Sequence, residues 1–462
     1  MKIAVFGAGY VGLVTAACLA DLDHIVACVD VDSSKVGRIQ SGQTPIYEPG
    51  LEDLIRKGLA EGHFSATTDA ALALKEADVS LIAVGTPDRE GRIDLRYVLE
   101  VASLLGHHIR HCEGFHTVIV KSTVIPGTTM GPVRQALEQC SGKRAGIDFG
   151  LGMNPEFLRE ASAVQDFADP DRVVLGAMGA KTAEIMQEIY HAFDCLKLVV
   201  SPTEAEFIKY TANALLSNLI SFSNEIFNLC EAMPGVSGRT VLEGALADGR
   251  WTPRVDGRRI KPGIQSYVMG GVGYGGSCFP KDMNAIVAMA HDRGQAVPLL
   301  DAVVAVNHAR PTAIVARLES EAGALKGRKV AVLGLAFKPG TDDWRNSPSQ
   351  PLIRALLEKE AEVVAWDPLV GEEAVAEWQG RVALVRSAEE VLKDASAALL
   401  ATAWPELCEW PWGFLMPLMR QPFIFDGRNL LAGLTWPAGV RCIPAGAGLL
   451  NADDRSTDES SR

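Results

Sequence analysis

The chain opens on Lys2-Ile-Ala-Val-Phe6, passes at once through Gly7-Ala8-Gly9-Tyr10-Val11-Gly12, continues in a helical pattern through Leu22, and returns to an apolar run ending at Asp30. Strand, glycine turn, helix, strand and acid in that order constrain the fold more than any other stretch. They form the first unit of a doubly wound α/β sheet with a dinucleotide site at its strand ends. Gly7 permits the tight turn, Gly9 lets a pyrophosphate approach the backbone, and Gly12 allows the helix to pack closely on the strand. Asp30 can accept hydrogen bonds from a ribose. That acid favours NAD over NADP, because it would repel a 2′-phosphate; Lys35 can soften the preference.

Apolar runs at Val79 to Val84, Thr117 to Val120, Phe149 to Met153, Val173 to Leu175 and Leu198 to Val200 alternate with helical patterns, which extends the first Rossmann-like domain over residues 1–200. Two of these strands end in polar turns, Gly85-Thr86-Pro87 and Ser122-Thr123, where a doubly wound sheet meets its ligand. A long helical pattern follows from Thr203 to about Met233, with Lys209, Asn213, Leu216, Ile220 and Asn224 near one stripe. Residues 201–312 read as a central all-helical domain that joins the two halves and packs on a second subunit. The strand KVAVLGLAF, from Lys329, then echoes KIAVFGAGY and opens a second Rossmann-like domain over 313–450, with strands at Glu362 to Trp366, Ala397 to Ala401 and Phe423 to Phe425. Leu335 replaces the second glycine of the fingerprint, so no second dinucleotide is expected there. Instead Lys338 and Arg345 follow the first strand and offer cations to a nucleotide phosphate. Residues 451–462 are polar throughout and are expected to be disordered.

A length of 462 residues allows roughly three domains of ordinary size, in agreement with this division. The formal net charge of −13 argues against nucleic acid or an anionic membrane as a partner. A phosphate-bearing ligand must therefore be met by local cations and backbone N–H groups. The apolar stretch Ala212 to Ile220 is broken by Asn213, Ser217 and Asn218, and no run is long enough to span a membrane. The N-terminus reads as a strand instead of a leader, and nine cysteines without paired or zinc-like spacing read as reduced thiols, so the cytoplasm is the expected location and no metal site is expected.

The stretch Gly273-Tyr-Gly-Gly-Ser-Cys278-Phe-Pro-Lys-Asp282 carries the chemistry. Glycines and a serine turn the chain tightly, and Pro280 suits the first turn of a helix. Cys278 then lies at a helix N-terminus, where unpaired N–H groups and the helix dipole favour a thiolate, with Lys281 and Asp282 within reach. A small buried residue beside a helix cap would read the same in isolation.

The motifs together decide between these readings. GAGYVG, the NPEFLRE segment from Asn154 to Glu160, FIKYTAN around Lys209, GGSCFPKD around Cys278 and FKPGTDD around Lys338 resemble the UDP-glucose/GDP-mannose dehydrogenase family over essentially the whole chain. The resemblance implies an NAD domain, a central helical dimerisation domain and a C-terminal nucleotide-sugar domain in a homodimer. It also implies oxidation of a sugar C6 alcohol to a carboxylate through a thiohemiacetal and a thioester on Cys278. In that family's pattern Glu156 and Asp282 activate or position water, Lys209 and Asn213 hold the developing oxyanion, and Thr123 and Glu160 lie beside the nicotinamide. Tyr10, Val11, Asp30, Lys35, Thr86 and Arg345 match dinucleotide positions. Phe157, Leu158, Lys209, Asn213, Asn224, Gly275, Lys338 and Arg428 match sugar-nucleotide positions, and either Arg258 or Arg259 matches an arginine that reaches the partner's substrate. SGKRAGIDFG and NPEFLRE look like the GDP-mannose branch. Leu216, where that branch can carry a histidine, and DGRNL with Arg428 look like the UDP-glucose branch, towards which the reading leans.

Overall fold

Two open sheets organise the computed structural model, which describes residues 1–89 and 91–448. The chain divides into two compact units, residues 1–212 and the residues from Asn213 onward. In the first, eight strands form one sheet: β1 (Lys2–Phe6), β2 (Ile25–Val29), β3 (Phe64–Thr67), β4 (Val79–Ile82), β5 (Thr117–Val120), β6 (Gly150–Met153), β7 (Arg172–Ala177) and β8 (Leu196–Val200). Their order is β8-β7-β6-β5-β4-β1-β2-β3. Ile3 on β1 stands opposite Val26 on one side and Val79 on the other, both in parallel register. All neighbours are parallel except β6 and β7, where Gly152 faces Ala177 in an antiparallel pair. Helices cover the sheet, so β4, β5 and β6 are buried along their whole length. Strands buried on both faces read as unbroken apolar runs. That is why these strands are visible in sequence.

The second unit contains a six-stranded, all-parallel sheet of β9 (Lys329–Leu333), β10 (Glu362–Trp366), β11 (Val382–Val385), β12 (Ala397–Leu400), β13 (Phe423–Asp426) and β14 (Arg441–Pro444), in the order β11-β10-β9-β12-β13-β14. Helical residues from the middle of the sequence share its core. Phe227, Leu242, Ile314 and Leu318 belong to the same buried cluster as Val330, Leu356 and Leu399. The strands absent from the sequence reading, β3, β11 and β14, are edge strands with partly exposed residues; β3 and β14 carry no continuous apolar run, and β11, Val-Ala-Leu-Val, is a run of only four residues.

The echo between the two sheets extends to the hydrogen bonds. Gly7 N donates to Val29 O at 2.7 Å, and Gly334 N donates to Trp366 O at 2.7 Å. Both glycines have positive φ, +109° and +97°. The helical pattern expected from Thr203 to about Met233 is a continuous helix, Pro202–Glu231. No helix among the described residues is long and apolar enough to cross a membrane. The polar tail, 451–462, lies outside the described residues.

Candidate active site

The dinucleotide turn is built by exclusion. A Cβ on Gly7 would lie 2.6 Å from Ala83 O and push the turn off the end of β4, and one on Gly12 would lie 1.9 Å from Gly7 O and push the helix off the turn. A Cβ on Gly9 would meet nothing within 4 Å, which leaves a ligand room against the backbone. Tyr10 and Val11 begin the helix Tyr10–Asp21, whose first N–H groups lack intrahelical partners and suit a pyrophosphate. Asp30 Oδ2 accepts from Ala8 N at 2.7 Å and Oδ1 accepts from Asp32 N at 2.9 Å, which fixes the carboxylate at the end of β2. Asp32 in turn caps the helix Ser33–Gln40 through Ser34 N and Lys35 N, placing Lys35 in its first turn. Thr86 Oγ1 donates to Thr123 O at 2.9 Å and ties the two polar strand-end turns together. This donor set and open backbone fit NAD.

Behind that turn lies the NPEFLRE segment. Glu156 is buried, with Lys209 Nζ donating to its Oε1 at 2.8 Å and Leu158 N donating to its Oε2 at 2.7 Å. Burial alone would raise the Glu156 carboxyl, but the Lys209 ammonium, with help from Leu158 N and Lys121, outweighs it and holds the pKa below the ordinary value. Lys209 also lies 5.5 Å from the centre of the Phe157 ring, over which Arg172 stacks at 4.0 Å.

The second unit holds the cysteine. Cys278 is the N-cap of the helix Phe279–Asp292, with Pro280 in the first turn as the sequence predicts. Its side chain is exposed. One turn on, Asp282 N donates to Cys278 O at 2.9 Å. The buried Asp282 carboxylate accepts from Asn213 Nδ2 at 2.6 Å and from Lys281 Nζ at 2.6 Å. The loop before the cysteine is pinned at several points. Asn224 Oδ1 accepts from Gly271 N at 2.7 Å, and Asn224 Nδ2 has no hydrogen-bond partner among the described residues. A Cβ on Gly275 would lie 2.3 Å from Asn346 O, so the loop that follows β9 closes over it.

Arg428 follows β13 and donates through Nε to Ala401 O at 2.8 Å and through Nη1 to Gly273 O at 3.4 Å. Burial lowers its guanidinium to about 10 against the opposing pull of Asp426. Lys338 Nζ lies 5.5 Å from the centre of the Phe337 ring, and Arg345 is paired with Asp343 at 2.8 Å. Arg259 sits in an exposed two-stranded hairpin with Arg258 and donates to Ala247 O at 3.2 Å. Among the described residues no group of three or more His, Cys, Asp or Glu side chains is placed to hold a metal ion.

Sequence reasoning missed two buried groups at this site. Glu48 accepts from the Tyr10 hydroxyl, from Ala161 N at 2.9 Å and from Ala163 N at 2.7 Å, so it ties the dinucleotide turn to the end of NPEFLRE. Burial, reinforced by that hydrogen bond to Glu48, raises the Tyr10 phenol above its ordinary range. Lys121, at the end of β5, donates to Asn154 Oδ1 at 2.8 Å, and burial lowers its ammonium to about 8. A lysine directly after the apolar run Thr117 to Val120 was the available signal. Glu48 had none, since its partners are 38 and more than a hundred residues away.

Comparison with known proteins identifies the family. Family models described as the NAD binding, central and UDP binding domains of the UDP-glucose/GDP-mannose dehydrogenase family match residues 1–194, 203–309 and 331–433. The UDP-glucose 6-dehydrogenase TuaD of Bacillus subtilis is 38% identical over 432 residues, covering 93% of this chain and 90% of its own. A GDP-mannose 6-dehydrogenase of Pseudomonas putida is 40% identical over 369 residues, 79% of this chain and 81% of its own. The solved UDP-glucose dehydrogenase of Pyrobaculum islandicum superposes with a TM-score of 0.86 at 38% identity, covering 97% of this chain and 98% of its own. The chain belongs to the UDP-glucose/GDP-mannose dehydrogenase family and is an NAD-dependent oxidoreductase of nucleotide sugars.

Proposed function

We propose that the chain oxidises the C6 alcohol of UDP-glucose to the carboxylate in two steps, with Cys278 as the nucleophile between them. The observation that carries this reading is the placement of Cys278: an exposed thiol at the N-terminus of a helix of 14 residues, one turn ahead of a buried Asp282 held by Asn213 and Lys281. NAD, when bound, accepts a hydride at each oxidation. An aldehyde carries no readily removed hydride until a nucleophile makes its carbon tetrahedral. The Cys278 sulfur forms a bond to the aldehyde carbon, and the carbonyl electron pair moves to oxygen, which takes up a proton. Loss of hydride and of that proton leaves a thioester. Water adds to it, the carbon–sulfur bond breaks, and the thiolate leaves the carboxylate product.

In this reading Lys209 and Asn213 donate to the developing oxyanion, and Glu156 and Asp282 position or deprotonate water. The hydrogen bonds that Lys209 gives Glu156 and that Asn213 gives Asp282 keep each donor beside its carboxylate. Thr123 and Glu160 border the nicotinamide, with Tyr10, Val11, Asp30, Lys35, Thr86 and Arg345 around the rest of the dinucleotide. Phe157, Leu158, Asn224, Gly275, Lys338, Arg428 and Arg258 or Arg259 contact the sugar nucleotide. GDP-mannose is the second reading, supported by the 40% identity to the Pseudomonas putida enzyme. Initial rates at low substrate should rank UDP-glucose above GDP-mannose, with two NADH formed per sugar. The opposite ranking would select the alternative, and one NADH per sugar would reduce the enzyme to a simple dehydrogenase.

We also propose a homodimer, with residues 201–312 as the dimerisation domain between the NAD domain (1–200) and the nucleotide-sugar domain (313–450). Leu215, Phe222 and Leu229 recur every seven residues on the long helix and stay 61%, 51% and 61% exposed, an apolar stripe suited to a second copy. Light scattering should give twice the chain mass, and Phe222→Asp should lower it. None of the nine cysteines is in a disulfide, which suits a reducing compartment such as the cytoplasm.

A further inference from the structure

The loop that carries Cys278 has an unusual anchor. Asn307, on the helix Pro298–Ala322, accepts from Tyr274 N through Oδ1 at 2.8 Å and donates to Tyr274 O through Nδ2 at 3.1 Å. One carboxamide thus satisfies both backbone groups of a single residue, as a neighbouring β-strand would, in a stretch that belongs to no strand. The neighbour is shaped to allow it. Gly273 has φ +98°, and a Cβ there would lie 2.6 Å from Asn307 Oδ1, so a side chain at 273 would push the carboxamide off Tyr274. Three residues further along the same helix, the fully buried Arg310 donates through Nε to Gly271 O at 2.8 Å. The helix therefore grips the loop at 271 and again at 274.

The grip is transmitted towards the thiol. The Tyr274 ring is buried with Ala214, Met283 and Val303 and meets the Phe279 ring edge-on at 6.1 Å between centroids. Phe279 is the first residue of the helix whose N-cap is Cys278. We infer that Asn307 is a positioning residue for the nucleophile: by holding Tyr274 on both sides, it fixes, through Phe279, the direction in which the Cys278 thiol leaves its helix. The inference rests on the assignment of Cys278 as nucleophile. The hydrogen bonds join groups 33 residues apart and serve no helix cap or strand ladder.

The test uses the full-length enzyme with Asn307→Ala, which removes both bonds, and Asn307→Asp, which keeps the Oδ1 acceptor but sets a carboxylate oxygen against Tyr274 O. Three quantities are measured: oxidation of added sugar-nucleotide aldehyde, alcohol oxidation with the aldehyde trapped by hydroxylamine, and the rate of Cys278 alkylation by iodoacetamide followed by peptide mass spectrometry. Misplacement of a reacting atom by about 1 Å costs on the order of 100-fold, so aldehyde oxidation should fall by roughly 10- to 100-fold in both variants. Trapped alcohol oxidation and the KM for NAD should stay within about threefold, a smaller change than that misplacement would cause, and the alkylation rate should change in parallel with aldehyde oxidation. Asn307→Asp should be no better than Asn307→Ala, since its remaining acceptor is offset by repulsion at the carbonyl.

A folded Asn307→Ala enzyme with unaltered aldehyde oxidation and alkylation would overturn the inference. So would equal loss of both oxidations with alkylation unchanged, which a general packing defect would give. If neither variant folds, Gly273→Ala, which displaces the carboxamide from the opposite side, must show the same split. The nucleophile assignment fails separately: Cys278→Ser with full turnover sinks it, whatever the alkylation rates in the Asn307 variants.

Discussion

Lys209 donates to Glu156 at 2.8 Å with only 5% of either side chain exposed, so the first unit of this enzyme buries an ion pair at its site. Removing one partner of such a pair leaves an uncompensated buried charge. Lys209→Met should therefore destabilise the protein by about 3–5 kcal/mol, whereas Lys209→Met combined with Glu156→Gln should recover much of that loss. Denaturant midpoints of the two proteins check this; equal loss in both would mean that the charge pairing is not the cause.

The same pair sets an acid limit. The Glu156 carboxyl is held below its ordinary value in the folded protein, so the folded state binds its proton less readily than the unfolded chain does. Its contribution to stability is present above the unfolded value of about 4.3 and is lost as pH falls through the folded value. Glu156→Gln should flatten the acid side of a plot of melting temperature against pH. Parallel plots for the two proteins would assign the acid loss to other groups.

Lys121 should act in the opposite range. Burial lowers its ammonium to about 8, so between pH 8 and the ordinary lysine value the unfolded chain holds a proton that the folded protein has released. Stability contributed by this residue then rises with pH across that window, by up to about 1.4 kcal/mol per pH unit. Cys18 and Cys28, raised to about 12 by burial, pull the other way. The difference between wild type and Lys121→Met, measured by urea unfolding from pH 7.5 to 10, isolates the lysine. A difference that stays constant with pH would place the Lys121 titration elsewhere.

Asp30 is the residue we propose to set the cofactor preference. Its carboxylate is aimed by Ala8 N and Asp32 N, and hydrogen bonds to a charged group contribute about 1.5–3 kcal/mol. Asp30→Ala should raise the KM for NAD by roughly 10- to 100-fold while changing the KM for NADP much less. Equal effects on both cofactors would point to collapse of the turn instead of loss of a ribose contact.

Cys278→Ser separates nucleophile from packing. The side chain is exposed, so serine should leave the melting temperature nearly unchanged. A hydroxyl remains protonated near pH 7 where a thiol can ionise, so the variant should make aldehyde and stop there, or halt as an ester found by mass spectrometry. Two NADH per sugar at the wild-type rate would rule out the covalent route.

The fold was legible wherever burial was symmetrical. The strands β1 and β9 are covered on both faces after their first residue, so the four residues that follow each opening lysine are buried and apolar and the pattern survived in the linear chain. Edge strands such as β3 and β14 satisfy only part of that requirement and were missed. The glycine turn was legible for a steric reason, since no side chain fits at Gly7 or Gly12. Cys278 was legible because its surroundings are local: Ser277, Pro280 and Asp282 lie within one turn, and the helix N-terminus follows from them. Glu48 and Asn307 were not. Each acts through partners 33 or more residues away, and nothing in the neighbouring sequence records a hydrogen bond that exists only after the chain has closed. Asp367 marks the difference most clearly. It follows β10 as Asp30 follows β2, yet in the folded protein its carboxylate is buried and filled by Leu335 N, Ala336 N, Leu369 N, Val370 N and Trp404 Nε1. Sequence determined that an acid follows both strands. Only the packing of Trp404 and the Leu369 turn decided which acid remains exposed enough to meet a ribose, because a carboxylate's capacity to accept hydrogen bonds is finite and here the fold has used it.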